Sequence, residues 1–176
     1  LPVGNTSKLS FGVKAGATFF STNFDGFVYS DPLPDPAFAE NINKTFPNIG
    51  AGLFFFSENY YLGLSAPNLL ETKHLSEDSG IVTQGSENIH VFLSGGYVLN
   101  FGDNYKFKYA FLTKHVQGAR VSIDLTANVL INNMVEFGAA YRFDDSFSGM
   151  VNFSLSSVMR VGYAYDHTLS NLGRFN

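Results

Sequence analysis

Cysteine and tryptophan are both absent from the 176 residues. Without cysteine there is no disulfide framework, no thiolate metal site and no Cys nucleophile. Charge is scarce as well: Asp, Glu, Lys and Arg make up 15% of the chain, against about 25% in a typical soluble domain. A net charge of -4 offers no clustered basic footprint, so no nucleic-acid partner is expected. Long apolar runs are missing too. Gly, Ser, Asn and Lys interrupt every stretch before it reaches the roughly 18 residues a membrane-spanning helix needs. The chain opens at Leu1 with no basic-then-apolar leader, so a signal peptide is removed or not included.

What the sequence has in quantity is aromatic residues, 19 Phe and 9 Tyr, and a period of two. From Leu9 to Phe19 the odd positions are Leu9, Phe11, Val13, Ala15, Ala17 and Phe19, while the even ones are Ser10, Gly12, Lys14, Gly16 and Thr18. Val121, Ile123, Leu125, Ala127, Val129 and Ile131 likewise interleave with Ser122, Asp124, Thr126 and Asn128. A helix would scatter those sets around its circumference; a strand puts them on opposite faces. The pattern recurs near Asn48–Phe56, Tyr60–Ala66, Ile89–Leu99, Tyr105–Val116, Met134–Phe143, Phe147–Leu155 and Met159–His167. The reading is one all-β domain of about nine strands, with ends uncertain by about two to four residues.

The connections alternate in length. Tight turns are expected at Ser57-Glu58-Asn59, Asn100 to Asn104, Asn132-Asn133 and Ser156-Ser157. Between them fall two long loops: Ser21 to Phe46, with Pro32, Pro34, Pro36 and the adjoining Pro47, and Pro67 to Asn88, which is rich in acidic residues. A third starts at Thr168, and two short connections, Gln117-Gly118-Ala119 and Asp144-Asp145-Ser146, share their end. Short turns at one end and long loops at the other are the asymmetry of an up-and-down transmembrane barrel, in which a closed sheet satisfies every backbone group in lipid.

Alternation alone does not separate such a barrel from a soluble lipocalin-like one, which also has one apolar face. The polar face decides. In water it would carry Lys and Glu; here it is mostly Gly, Ser, Thr and Asn with scattered charges. Leu9, Phe11, Val13, Val121, Ile123, Leu125, Ala127 and Val129 are therefore expected to face lipid, and Lys14, Asp124, Glu136, Arg142, Arg160 and Asp166 to face the lumen. Aromatics near strand ends, Tyr60, Tyr61, Tyr97, Tyr105, Tyr141, Phe143, Phe147, Tyr163 and Tyr165, suit an interfacial belt. Nine strands would leave two open edges, which hydrocarbon does not tolerate, and the chain ends in a loop without a strand returning across the membrane, so it is expected to be part of a larger barrel.

Several motifs then become familiar. Pro47-Asn48-Ile49-Gly50-Ala51-Gly52-Leu53, Asn59-Tyr60-Tyr61-Leu62-Gly63-Leu64-Ser65-Ala66-Pro67-Asn68-Leu69-Leu70, Gly138-Ala139-Ala140-Tyr141-Arg142-Phe143-Asp144-Asp145, Arg160-Val161-Gly162-Tyr163-Ala164-Tyr165-Asp166 and Ser170-Asn171-Leu172-Gly173 occur in this order. From about Phe11 onward the chain resembles the PorP/SprF family of type IX secretion and gliding-motility outer-membrane proteins. The resemblance implies a non-enzymatic, multi-pass outer-membrane barrel that works with the translocon and its periplasmic ring, some members helping to export or anchor adhesins through a C-terminal sorting domain. Longer family members close with a further strand after the Ser-Asn-Leu-Gly stretch, and the resemblance implies that N-terminal strands as well as this last strand are missing here. No catalytic or partner-binding residue is carried over.

Other constellations have plain explanations. Asn68, Asn171, Asp144-Asp145 and Asp166-His167 are expected to cap turns through their own backbone. Asp166 and His167 alternate in facing and do not form an acid-base pair. His74, His90, His115 and His167 lack ligand spacing, so no metal or cofactor is expected. Asp25, Asp31 and Asp35 lack the oxygen pattern of an EF-hand, and Ser94 near His90 lacks a nucleophile elbow. Gly50-Ala51-Gly52 and Gly95-Gly96 lie within strands and are not phosphate loops. Lys106, Lys108 and Lys114 share one face, where they would favour an anionic segment or pair with an acidic neighbour such as Asp124. A diffusion porin, a soluble lipocalin-like binder and, third, an outer-membrane lipase are the rival classes.

Overall fold

A computed structural model describes residues 1–23, 42–70, 72–73 and 86–170. Twelve strands follow one another: β1 (Pro2–Val3), β2 (Ser7–Thr22), β3 (Ile42–Phe56), β4 (Tyr60–Ala66), β5 (Thr72–Lys73), β6 (Ser86–Glu87), β7 (His90–Phe101), β8 (Tyr105–Val116), β9 (Ser122–Ile131), β10 (Val135–Arg142), β11 (Ser146–Ser154) and β12 (Arg160–Thr168). There is no helix among the described residues. Ten strands form one antiparallel sheet in the order β1-β2-β3-β4-β7-β8-β9-β10-β11-β12, and β5 pairs with β6 as a separate two-residue ladder. The sheet is open, as a piece of a barrel is. The nine strands expected from alternation are all present; the tenth, β1, is too short to carry a pattern.

The long Ser21–Phe46 loop is the main correction. β2 runs to Thr22 and β3 begins at Ile42, so Phe46 and Pro47 lie in a strand, with Pro47 opposite Ala17. β4 pairs with β3 only over Ala51–Phe56. Pro47 thus stands where β3 has a neighbour on one side, and its missing N–H takes nothing from the ladder. The expected tight turns hold. In the three-residue connection between Ile131 and Val135, Asn132 and Asn133 both have positive φ, 51° and 54°, a region that asparagine enters more readily than most residues. Asp25, Asp31, Asp35, Pro32, Pro34, Pro36, His74 and Asn171, singled out above, lie outside the described residues.

Register in every long pair is uninterrupted, so facing can be followed strand to strand. One row reads Gly63, Ser94, Leu112, Asp124, Arg142, Ser146 and Thr168; the adjacent row on the other face reads Leu64, Leu93, Thr113 and Ile123. Across β2, β3, β4 and β7 to β12, the second face carries no Asp, Glu, Lys or Arg.

The sheet curls, and the polar face is the inner one. Along β9 the polar side chains are half-buried, while Ile123, Leu125 and Ala127 are exposed. A cavity of about 390 Å³ is lined by Tyr61 of β4 and Asp166 of β12 together with Ser94, Asp124, Arg142 and Ser148. Six strand spacings lie between Tyr61 and Asp166, roughly 29 Å if the sheet were flat. Both reach one small cavity only because the sheet bends around it. A lipocalin-like barrel would bend the other way, enclosing Leu125 and its neighbours. The same surface explains why Leu130, 6% exposed, is the single buried hydrophobic residue among those described: this sheet has no apolar core behind it.

Candidate functional site

The concave face brings together the polar residues singled out from sequence. Lys14, Asp124, Glu136, Arg142, Arg160 and Asp166 all lie on it by register, and Leu9, Phe11, Val13, Ile123, Leu125, Ala127 and Val129 lie on the opposite one. Val121 falls one residue before β9 and is half exposed.

Two ion clusters occupy opposite ends of this face. Near the tight turns, Glu136 is 5% exposed and is held from both sides: Lys108 Nζ stands 2.9 Å from Oε1 and Arg160 Nη1 stands 3.5 Å from Oε2. Asn128 Nδ2 also donates to Oε1 at 3.0 Å. A carboxylate so shielded needs these partners, because an unpaired charge at that depth is costly. At the loop end Arg142 grips Asp124 through two nitrogens, at 2.6 and 3.2 Å, and reaches Asp145 at 3.3 Å. Such a planar fork fixes orientation as well as charge. Asp166 accepts from the hydroxyl of Ser148 on the next strand.

Particular expectations change here. Asp124 does not serve Lys106, Lys108 or Lys114; Arg142, directly opposite it, takes both oxygens. The partner of Lys108 is Glu136, two strands away. Asn68 does not cap its own turn: its Oδ1 accepts from Asn48 Nδ2 at 2.9 Å and from Lys14 Nζ at 3.4 Å. Asp144 behaves as a turn residue, with φ 57°. Asp166 and His167 point to opposite faces, as alternation requires, since one pairs with Ser148 and the other with Phe147.

Tyr61 departs from the belt reading. Its register partners are Phe56 and Gly96, which places it on the concave face. Phe54, Phe56 and Tyr61 form a cluster there, with ring centroids 5.4 and 5.7 Å from Phe54. The rings fit because glycines lie beneath them: a Cβ at Gly96 would stand 2.8 Å from Tyr61 Cζ, and one at Gly63 3.3 Å from the Phe54 ring. These aromatics look like lapses in the alternation, and the glycine one strand over is the signal that accounts for them. The outward tyrosines behave differently. Tyr60 stacks on Tyr97 at 6.4 Å, nearly parallel. A depression of about 690 Å³, lined mostly by residues of the apolar face, lies over Ala127 and Ala139 between Tyr109 and Tyr141.

No group of His, Asp and Glu among the described residues is arranged to hold a metal ion, and no helix is long and apolar enough to cross a membrane. The face's chemistry is that of ion pairing and hydrogen bonding.

Comparison with known proteins agrees with this architecture. Searches of curated proteins and of solved structures found no match. The family model described as type IX secretion system membrane protein PorP/SprF matches residues 1–176. The whole-chain match makes this protein a component of a secretion machine and assigns it to a membrane. The chain belongs to the PorP/SprF family of type IX secretion system membrane proteins.

Proposed function

We propose that this protein is an outer-membrane barrel component of the type IX secretion and gliding-motility machinery. In this reading, further strands complete the single barrel to which residues 1–176 contribute, and the concave face becomes its lumen. Hydrocarbon meets the face containing Phe11, Val13, Ile123, Leu125, Ala127 and Val129. The barrel acts without catalysis: its lumen or long loops dock a secreted surface adhesin through a C-terminal sorting domain, or join the translocon to its periplasmic ring.

The segregation of charge across the sheet carries this reading. Nine strands place no Asp, Glu, Lys or Arg on the convex side and gather ion clusters on the concave side. Water gives no reason to bar charge from a convex surface, whereas hydrocarbon does. Affinity isolation from detergent-solubilised membranes, followed by mass spectrometry, tests the role. A translocon, ring or adhesin subunit is expected to be retained; isolation of this protein alone would count against it.

A passive diffusion porin is the second reading, favoured by the polar concave cavity. Stepwise currents in planar bilayers would support it, and a silent bilayer would support a docking component.

A further inference from the structure

The concave face is not charge-balanced. On β2, β3 and β7 to β12 it carries eight Lys and Arg residues but three carboxylates, Asp124, Glu136 and Asp166, while the whole chain is acidic at -4. Lys108, Arg142 and Arg160 are engaged with carboxylates. Lys8, Lys14, Lys44, Lys106 and Lys114 have no carboxylate within salt-bridge distance among the described residues. The acidic residues of the described turns, Glu58, Asp103, Asp144 and Asp145, sit at the rims, and of these only Asp145 reaches a cation of the face.

We infer that the concave face is a binding surface for an acidic polypeptide segment in extended conformation. Charge complementarity selects the sign of the partner: like charges on a curved wall reinforce one another, and a low-dielectric surround focuses their field inward. Spacing selects its form. Lys106 and Lys114 lie on one strand, β8, facing the same way and eight residues apart, which is roughly 27 Å of strand. Lys14 lies four strands from Lys114 in the sheet. A single small anion would need these ammonium groups to converge, and they do not. An extended chain with several Asp or Glu residues meets them in succession. The ion pairs at Glu136 and Asp124 hold the wall's own charges in place; among the described residues the five lysines, of which Lys14 reaches only the neutral Asn68 amide, are the cations without a carboxylate that a partner could meet.

This inference rests on the barrel reading above and names the chemistry of what the lumen accepts. The test is fluorescence anisotropy of labelled oligo-glutamate, oligo-lysine and glycine-serine peptides of equal length, titrated with the protein folded in detergent micelles. Oligo-glutamate is expected to bind, more weakly as NaCl is raised, and the other two are not. Lys106→Glu combined with Lys114→Glu is expected to weaken binding about tenfold, and the matching Lys→Gln pair by less. Equal binding of oligo-glutamate and oligo-lysine by the unaltered protein would overturn the inference, whether or not the variants fold. So would an unchanged affinity in charge-reversed protein that retains heat-modifiable gel mobility. Retention of secretion components without oligo-glutamate binding would sink this inference alone; failure to fold in micelles would sink the barrel reading as well.

Discussion

At Ala127 the side chain is a methyl group on the convex face, opposite Tyr109 on one side and Ala139 on the other. If that face meets hydrocarbon, as proposed above, an arginine there would have to carry its charge into it or bend along the sheet to escape. Ala127→Arg is expected to cost about 2–4 kcal/mol in urea titrations of the protein folded into lipid vesicles. Thr126→Arg, one residue away on the concave face, is the control, with a cost below about 1 kcal/mol. Equal costs at the two positions would remove lipid from the argument. Glu136 poses the opposite problem, an ion kept where water is thin. Glu136→Gln keeps the shape and the Asn128 contact but leaves Lys108 and Arg160 facing a neutral amide. It is expected to lower stability by about 1–2 kcal/mol. Adding Lys108→Met should recover part of that loss, and a double variant worse than the sum of the two singles would count against the pairing.

At the scale of the strand and its turn, hairpin geometry is as informative as facing. Asn132 and Asn133 join β9 to β10 with both residues in the left-handed region, where a β-branched side chain collides with its own backbone. Asn133→Val is expected to destabilise by about 1–2 kcal/mol and Asn133→Gly to be neutral or mildly stabilising. Chemical denaturation midpoints in micelles would compare them; a tolerated valine would mean that the turn has another form. This local chemistry is also why so much of the sheet was legible beforehand. A strict period of two in β2 and β9, and Asn or Gly at the turns, are local signals that register merely propagates. What the sequence did not disclose is non-local. The Glu136 cluster spans β8 to β12, with Lys108, Asn128 and Arg160 arriving from three strands, and no spacing in the chain encodes that meeting. Tyr61 read as a belt residue because its place above Gly96 depends on pairing between β4 and β7. β3 reaches back to Ile42 on a segment, Ile42-Asn43-Lys44-Thr45-Phe46, that shows no apolar alternation, and beyond β4 it is paired on one side alone.

For the molecule as a whole, the question is what the two sides of a single curved layer touch. β1 runs opposite to β2, and β12 runs with β2, so the outermost strands of the ten are antiparallel to one another. Any closure that keeps the pattern antiparallel then adds an even number of strands, which agrees with the even counts of bacterial single-chain barrels. The missing tryptophan turns this architecture into a direct measurement, because one introduced indole is the only such fluorophore in the chain. Leu125→Trp places it on the convex face and Thr126→Trp on the concave one, on the same strand. In vesicles of brominated lipid the first is expected to be quenched and the second spared, while acrylamide in the water should reach the second more readily than the first. The contrast, read on protein that retains heat-modifiable gel mobility, tests facing and not stability. Both indoles open to acrylamide and indifferent to bromine would place the convex face in water, and the charge segregation across the nine strands would then need a cause other than a bilayer.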